Sequence, residues 1–163
     1  MANITLKGTP VTTSGEIPAV GTDAPDFKLV AQDLGTVTLE NYQGKRKILN
    51  IFPSIDTPVC ALSVKAFTKN AADKDNTVVL HIAADLPFAS KRFCGAEGVE
   101  NAQTLSTFRG EFSKDYGLEI VDGPLEGLCS RVVLVLDENN KVIYGEQVDA
   151  IEKEPNMKKL WNH

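Results

Sequence analysis

The stretch Phe52-Pro53-Ser54-Ile55-Asp56-Thr57-Pro58-Val59-Cys60 decides how this chain folds and where its reactive group lies. It continues an apolar run, Ile48-Leu49-Asn50-Ile51-Phe52, that reads as a buried strand halted at Pro53. Thr57 followed by Pro58 is a helix-start signal: a hydroxyl at the N-cap, then the residue whose fixed φ suits the first helical position. Cys60 then falls in the first helical turn, where free N–H groups and the positive end of the dipole favour an anion. A thiol held there is pushed towards thiolate, its nucleophilic form.

Beyond Cys60, Leu62, Ala66 and Phe67 recur at helical spacing, with Lys65 and Lys69 on the other face. Thr77 to Ala84 is β-branched and apolar and reads as a second buried strand. Two strands joined by a helix form a βαβ unit, so a parallel pair with a right-handed crossover is expected. Asp85 to Gly95 reads as a short helix started near Pro87 and ended by Gly95. Residues 95–103 read as polar loop, and Thr107 to Tyr116 as a helix ended by Gly117, weakened by Gly110 at a cost of about 1 kcal/mol. Val132-Val133-Leu134-Val135-Leu136 is a third buried strand, turning at Asp137 to Asn140 into Val142-Ile143-Tyr144 as an antiparallel hairpin. A last short helix is expected from Pro155 to Trp161.

Upstream, residues 3–13 alternate weakly around Gly8 and suggest a small hairpin; Ser14 to Pro25 reads as loop. Phe27 to Val30 and Val37 to Leu39 flank Asp33-Leu34-Gly35 as a second hairpin, and Asn41 to Lys47 is a polar connection. No internal repeat or low-complexity segment is evident. The order of elements is that of an α/β, thioredoxin-like sandwich with an N-terminal β-hairpin extension and a central mixed sheet flanked by helices.

The totals bound the function. At 163 residues the chain is expected to form a single domain over 1–163, with about 1–26 as an N-terminal hairpin and loop extension. A composition 42% hydrophobic and 24% charged is that of an ordinary soluble globular protein. The net charge of −5 argues against nucleic acid or an anionic membrane as the main partner. No signal-peptide pattern opens the sequence, and no apolar run approaches the ~18 residues of a membrane span, so a cytoplasmic location is expected. Cysteines at 60, 94 and 129 are too few and too far apart for a secreted disulfide framework. No pair forms C-x-x-C, which speaks against a structural zinc site and a thioredoxin-type dithiol.

Each candidate residue has a plain reading beside the chemical one. Pro53 terminates a strand, and Thr57 caps a helix while lying one turn from Cys60. Arg131 opens the third buried strand; near a thiolate, its guanidinium would favour the ionised sulfur and hold two oxygens at fixed geometry. Cys94, beside Gly95 with Lys91 and Arg92 nearby, reads equally as inert or reactive. His81, in an apolar strand, reads as a satisfied core histidine.

The run Pro53-x-x-x-Thr57-x-x-Cys60 resembles the active-site signature of the peroxiredoxins, and Ser54-Ile55-Asp56-Thr57-Pro58-Val59-Cys60 resembles their thiol peroxidase subfamily, the atypical two-cysteine peroxiredoxins. Phe88-Ala89-Ser90-Lys91-Arg92-Phe93-Cys94-Gly95 is similar to the subfamily's second-cysteine segment, and residues 48–70, 83–109 and 131–136 also read like that subfamily. The resemblance implies the peroxiredoxin variant of the thioredoxin-like fold. It implies a peroxidase reducing hydrogen peroxide and organic hydroperoxides, in antioxidant defence and redox homeostasis. Cys60 would become a sulfenic acid, and Cys94 would resolve it as a Cys60–Cys94 intramolecular disulfide recycled by thioredoxin. Pro53 would shield the thiolate, and Thr57 and Arg131 would polarise the peroxide. No metal or organic cofactor is implied, and a homodimer is. Strict disulfide geometry further predicts that the first turn of the Cys60 helix and the Cys94 helix rearrange on oxidation.

Cys129 departs from the subfamily pattern, in which a third cysteine, where present, lies in the second strand; His81 stands there instead. Cys129 is expected to be a spectator, although it lies two residues before Arg131. Phe88, Phe93 and Phe108 leave open an interface, a surface for larger hydroperoxides, or core. Two other classes compete: a protein thiol-disulfide oxidoreductase, disfavoured by the missing C-x-x-C, and a non-catalytic thioredoxin-fold binding module.

Overall fold

A computed structural model describes residues 2–56, 58–71, 74–96 and 103–155, with the backbone alone for 58–62 and 70–71. The N-terminal hairpin forms as expected: β1 (Asn3–Leu6) pairs antiparallel with β2 (Thr9–Thr12). A second, two-residue-strand hairpin follows, β3 (Leu29–Val30) with β4 (Thr36–Val37). The central strands are β5 (Arg46–Ile51), β6 (Thr77–Ala83), β7 (Gln103–Ser106), β8 (Val132–Leu136) and β9 (Val142–Gln147). Helices α1 (Pro58–Ala71), α2 (Pro87–Ala96) and the single turn α3 (Phe112–Asp115) complete the described elements.

The main sheet runs β4-β3-β7-β6-β5-β8-β9. Strands β5, β6 and β7 are parallel, and β8 joins β5 antiparallel, giving the expected mixed sheet. Its inner strands are buried on both faces, which is why they read as continuous apolar runs without alternation. The period-two geometry still sorts their side chains. Ile48, Val79, Val133 and Val135 pack with Phe67 of α1 on one face. Leu49, Ile51, Leu80, Ile82, Val132, Leu134 and Leu136 pack with Phe27, Phe112 and Tyr116 on the other. Ser63, Val64 and Phe67 are the buried stripe of α1, while Lys65 and Lys69 are exposed.

Three expectations are corrected. Of the loop expected over 95–103, Gly95 and Ala96 close α2, and Gln103 opens β7, registered on β6 from Leu80↔Gln103 to Ala83↔Ser106. The helix expected over 107–116 shrinks to α3, because Gly110 takes a left-handed φ of +92° and breaks any helical path before Phe112. What remains is held by tertiary contacts: the Phe112 and Tyr116 rings stack at 4.4 Å, and Tyr116 Oη donates to the Pro25 carbonyl at 2.5 Å. The polar connection at 41–47 contains the end of a 3-10 turn (Leu39–Tyr42) and the first two residues of β5. Lys47 there is fully buried, its ammonium donating to the Asn140 side chain. The expected terminal helix lies outside the described residues after Pro155. Among the described residues, no helix is long and apolar enough to cross a membrane.

His81 is the satisfied core histidine the sequence suggested. Its Nδ1 accepts from Asn50 Nδ2 at 3.0 Å, so Nε2–H donates to Thr68 Oγ1 at 3.1 Å and the ring is neutral. Burial lowers its pKa to about 3. The folded pKa lies below the unfolded one, so stability is complete above pH ~6.5 and is lost as pH falls towards 3. Denaturant melts should therefore lose about 2 kcal/mol between pH 7 and pH 5, and His81→Gln should flatten that slope. An unaltered slope in the variant would mean that other groups dominate the acid limb.

Candidate active site

The parallel strands β5, β6 and β7 end at one edge of the sheet, the edge at which open α/β sheets place their ligands. Because β8 is antiparallel, its beginning lies at that same edge: Val132 pairs with Ile51, the last residue of β5. Arg131 and the loop that follows Phe52 therefore leave the sheet side by side. Strand alternation assigns Arg131 to the face of Val133 and Val135, the face that α1 covers. Arg131 is 2% exposed, and its Nε donates to the Ile151 carbonyl at 2.6 Å. The guanidinium is thus held in a water-poor setting by a fixed backbone acceptor.

The motif loop is built as tightly. Phe52 N–H bonds the Ile82 carbonyl at 3.1 Å, extending the β6 pairing one residue past the strand, and Pro53 is buried. Two donors of the next turn converge on Asp85: Ser54 Oγ and the Ile55 N–H, each at 2.7 Å. Helix α1 begins at Pro58, the residue whose ring suits that position, so Cys60 occupies the first turn as the sequence predicts. Thr57 and the side chain of Cys60 lie outside the described residues.

Cys94 stands on α2, half-buried against a cluster of Phe52, Ile55, Val64, Ala83 and Phe93. Three of those five come from the motif loop and α1, so the second cysteine shares a hydrophobic cluster with the segment around the first. Burial raises the Cys94 pKa, and the Gln32 amide, with Nε2 3.8 Å from the sulfur, opposes that shift. Gln32 is itself anchored to Thr104 Oγ1 at 2.6 Å. Across the surface, Arg92 pairs with Asp56 at 3.3 Å, linking α2 to the motif loop.

Cys129 behaves differently. It is 1% exposed and belongs to the core cluster on the face opposite α1. Burial drives its pKa up to about 12 despite a hydrogen bond from Thr107, with Glu119 and Asp85 adding repulsion. Burial and a raised pKa both work against thiolate chemistry at this sulfur. Of the three phenylalanines left open above, Phe93 is core, while Phe88 and Phe108 are exposed and the Arg109 guanidinium lies 5.1 Å from the Phe108 ring centre.

Pro53 and Arg131 thus lie at the sheet edge where β5 ends and β8 begins, and Cys94 packs against the cluster that holds Phe52 and Ile55. Sequence reasoning missed Asp85, Gln32 and the Asp56–Arg92 pair. A weak signal existed for Asp85, an acidic residue directly after a buried strand, at the position where α/β sheets carry functional groups. Among the described residues, no group of three or more His, Cys, Asp or Glu is arranged to hold a metal ion.

The architecture is that of a thioredoxin-like α/β protein with its reactive segment at a strand-to-helix turn. Residues 19–160 match the Redoxin family model. The chain is 51% identical over 156 residues to the thiol peroxidases of Mycobacterium bovis and Mycobacterium tuberculosis, covering 96% of this chain and 94% of each relative. The crystal structure of a peroxiredoxin-like protein from Aquifex aeolicus, 34% identical, superposes with a TM-score of 0.93 over 99% of this chain and 95% of that one. The chain therefore belongs to the Redoxin family and, within it, to the thiol peroxidase subfamily of atypical two-cysteine peroxiredoxins. It is accordingly an enzyme of the peroxidase class.

Proposed function

We propose that the whole chain, 1–163, acts as one domain that reduces hydrogen peroxide and organic hydroperoxides with electrons from thioredoxin. The Cys60 thiolate attacks the distal oxygen of ROOH; the O–O bond breaks, RO⁻ takes a proton and leaves as ROH, and Cys60 becomes a sulfenic acid. The Cys94 sulfur then displaces the sulfenic oxygen, which departs as water, and a Cys60–Cys94 disulfide forms. A thioredoxin dithiol reduces it by two successive exchanges. Pro53 keeps water from the thiolate, Thr57 orients the peroxide, and Arg131 stabilises charge on the sulfur and the leaving oxygen. The setting is a cytoplasmic homodimer serving antioxidant defence.

One observation supports this reading above the others: Arg131 is buried at the sheet edge from which β5 leads towards α1, and Cys94 is half-buried against Phe52, Ile55 and Val64. The deep burial of Cys129 supports Cys94 as the resolving partner. The test is NADPH-coupled peroxide consumption with thioredoxin and its reductase. Wild type and Cys129→Ser should turn over alike, whereas Cys94→Ser should lose thioredoxin-supported turnover yet still consume about one peroxide per chain. Loss in Cys129→Ser with retention in Cys94→Ser would exchange their roles. A wild type inert to peroxide would return the chain to the binding-module class.

A further inference from the structure

We propose that Asp85 is a positioning residue for the Cys60 segment, a carboxylate clamp that fixes the motif loop to the end of β6; this rests on Cys60 being the reactive thiol. Its two oxygens are both used. Oδ1 accepts from Ser54 Oγ and Oδ2 from the Ile55 N–H, each at 2.7 Å. Ser54 Oγ in turn accepts the Asp56 N–H at 3.1 Å, so three consecutive loop residues hang from one carboxylate. Charge-assisted bonds of this length are about twice as strong as neutral ones, and two divergent acceptors fix orientation as well as distance.

The clamp sits where orientation matters. Ile55, 1% exposed, is five residues before Cys60, and its N–H lies in a loop with no strand partner to satisfy it. The direction in which the chain enters α1 follows from this loop, and with it the aim of the first-turn thiol. Asp85 also stands two residues before α2 begins at Pro87. One side chain therefore joins the entries to both helices that carry redox cysteines. Everything that must move to bring Cys94 to Cys60 lies C-terminal to Ile55 on one side and to Asp85 on the other. The clamp can thus stay closed as a fixed base through the cycle.

Misplacing a reacting group by about 1 Å can cost on the order of 100-fold in rate, so Asp85→Asn should slow the reaction of reduced enzyme with hydrogen peroxide by about 10- to 100-fold. Asparagine supplies only one acceptor oxygen and turns an N–H₂ towards the second donor. The pH midpoint for Cys60 alkylation should rise in Asp85→Asn, and Asp85→Glu, which restores two acceptors, should recover most of the rate. Asp137→Asn is the matched control. Asp137 Oδ1 accepts the Asn139 and Lys141 N–H groups at 2.8 and 2.9 Å, at the opposite end of β8 from Arg131. That variant should leave the peroxide rate and alkylation midpoint unchanged. If Asp85→Asn does not fold, Ser54→Ala decides, since it removes one of the two bonds to the carboxylate together with the acceptor for the Asp56 N–H, and should slow the reaction by about threefold or more. A wild-type rate and midpoint in the folded variant, or an equal loss in Asp137→Asn, would overturn the proposal. A wild-type Cys60 inert to peroxide would instead remove the reading beneath it, and that is seen before any variant is made.

Discussion

Cys60→Ser is expected to lower peroxide turnover by about 10,000-fold or more while leaving the fold intact, because in the proposed mechanism it removes the nucleophile and not a neighbour of it. The helix terminus that favours a thiolate cannot rescue a hydroxyl. Its stabilisation of an anion is at most about 2 kcal/mol, little more than one unit of pKa, and an alcohol starts far above any thiol. The remaining cysteines cannot substitute. Cys129, with its pKa pushed up to about 12 by burial, disfavours the thiolate and is enclosed besides. Burial raises the Cys94 pKa, which works against a thiolate there. The check is NADPH oxidation in the coupled assay, together with a thiol count before and after one equivalent of peroxide. Turnover above about one part in a hundred of wild type would move the reactive centre away from Cys60.

The parts of this site that could be read from sequence are those whose determinants are local. A strand, a proline, a hydroxyl-proline cap and a cysteine are consecutive, and each acts within a turn of the next, so helix α1 begins where the residues predict. Strand β7 was illegible for the opposite reason. Gln103-Thr104-Leu105-Ser106 holds a single large apolar residue, and it is extended because β6 supplies its hydrogen bonds. The supporting contacts follow the same division. Asp85 reaches Ile55 across 30 residues, Arg92 reaches Asp56 across 36, and Gln32 reaches Cys94 across 62. No periodicity or cap encodes such pairs; they exist only once the sheet brings three strand ends together. Cys94 and Arg131 lay between these cases, ambiguous by pattern and made specific by the resemblance.

Arg131→Met is expected to slow the peroxide reaction by about 100- to 1,000-fold, the usual cost of removing one preorganised donor from a developing anion. Methionine approximates the length of the stem, so the variant removes the charge and the donors with little loss of volume. It also strips the Ile151 carbonyl of a 2.6 Å bond, which should cost stability by about 1–3 kcal/mol. The two effects separate by pH. Without the cation the Cys60 thiol should ionise at higher pH, so the rate deficit should be greatest near neutrality and narrow as pH rises. A defect of stability alone would show no such dependence. Arg131→Lys sharpens the distinction, since it keeps the charge but replaces a planar fork by a single ammonium that cannot hold Ile151 and two oxygens together. It should therefore recover part of the pH midpoint while recovering little of the rate at saturating pH. If lysine restores both, charge alone is what the site requires of position 131. If methionine leaves the pH midpoint in place and the rate within about threefold, the buried guanidinium serves only the backbone at Ile151.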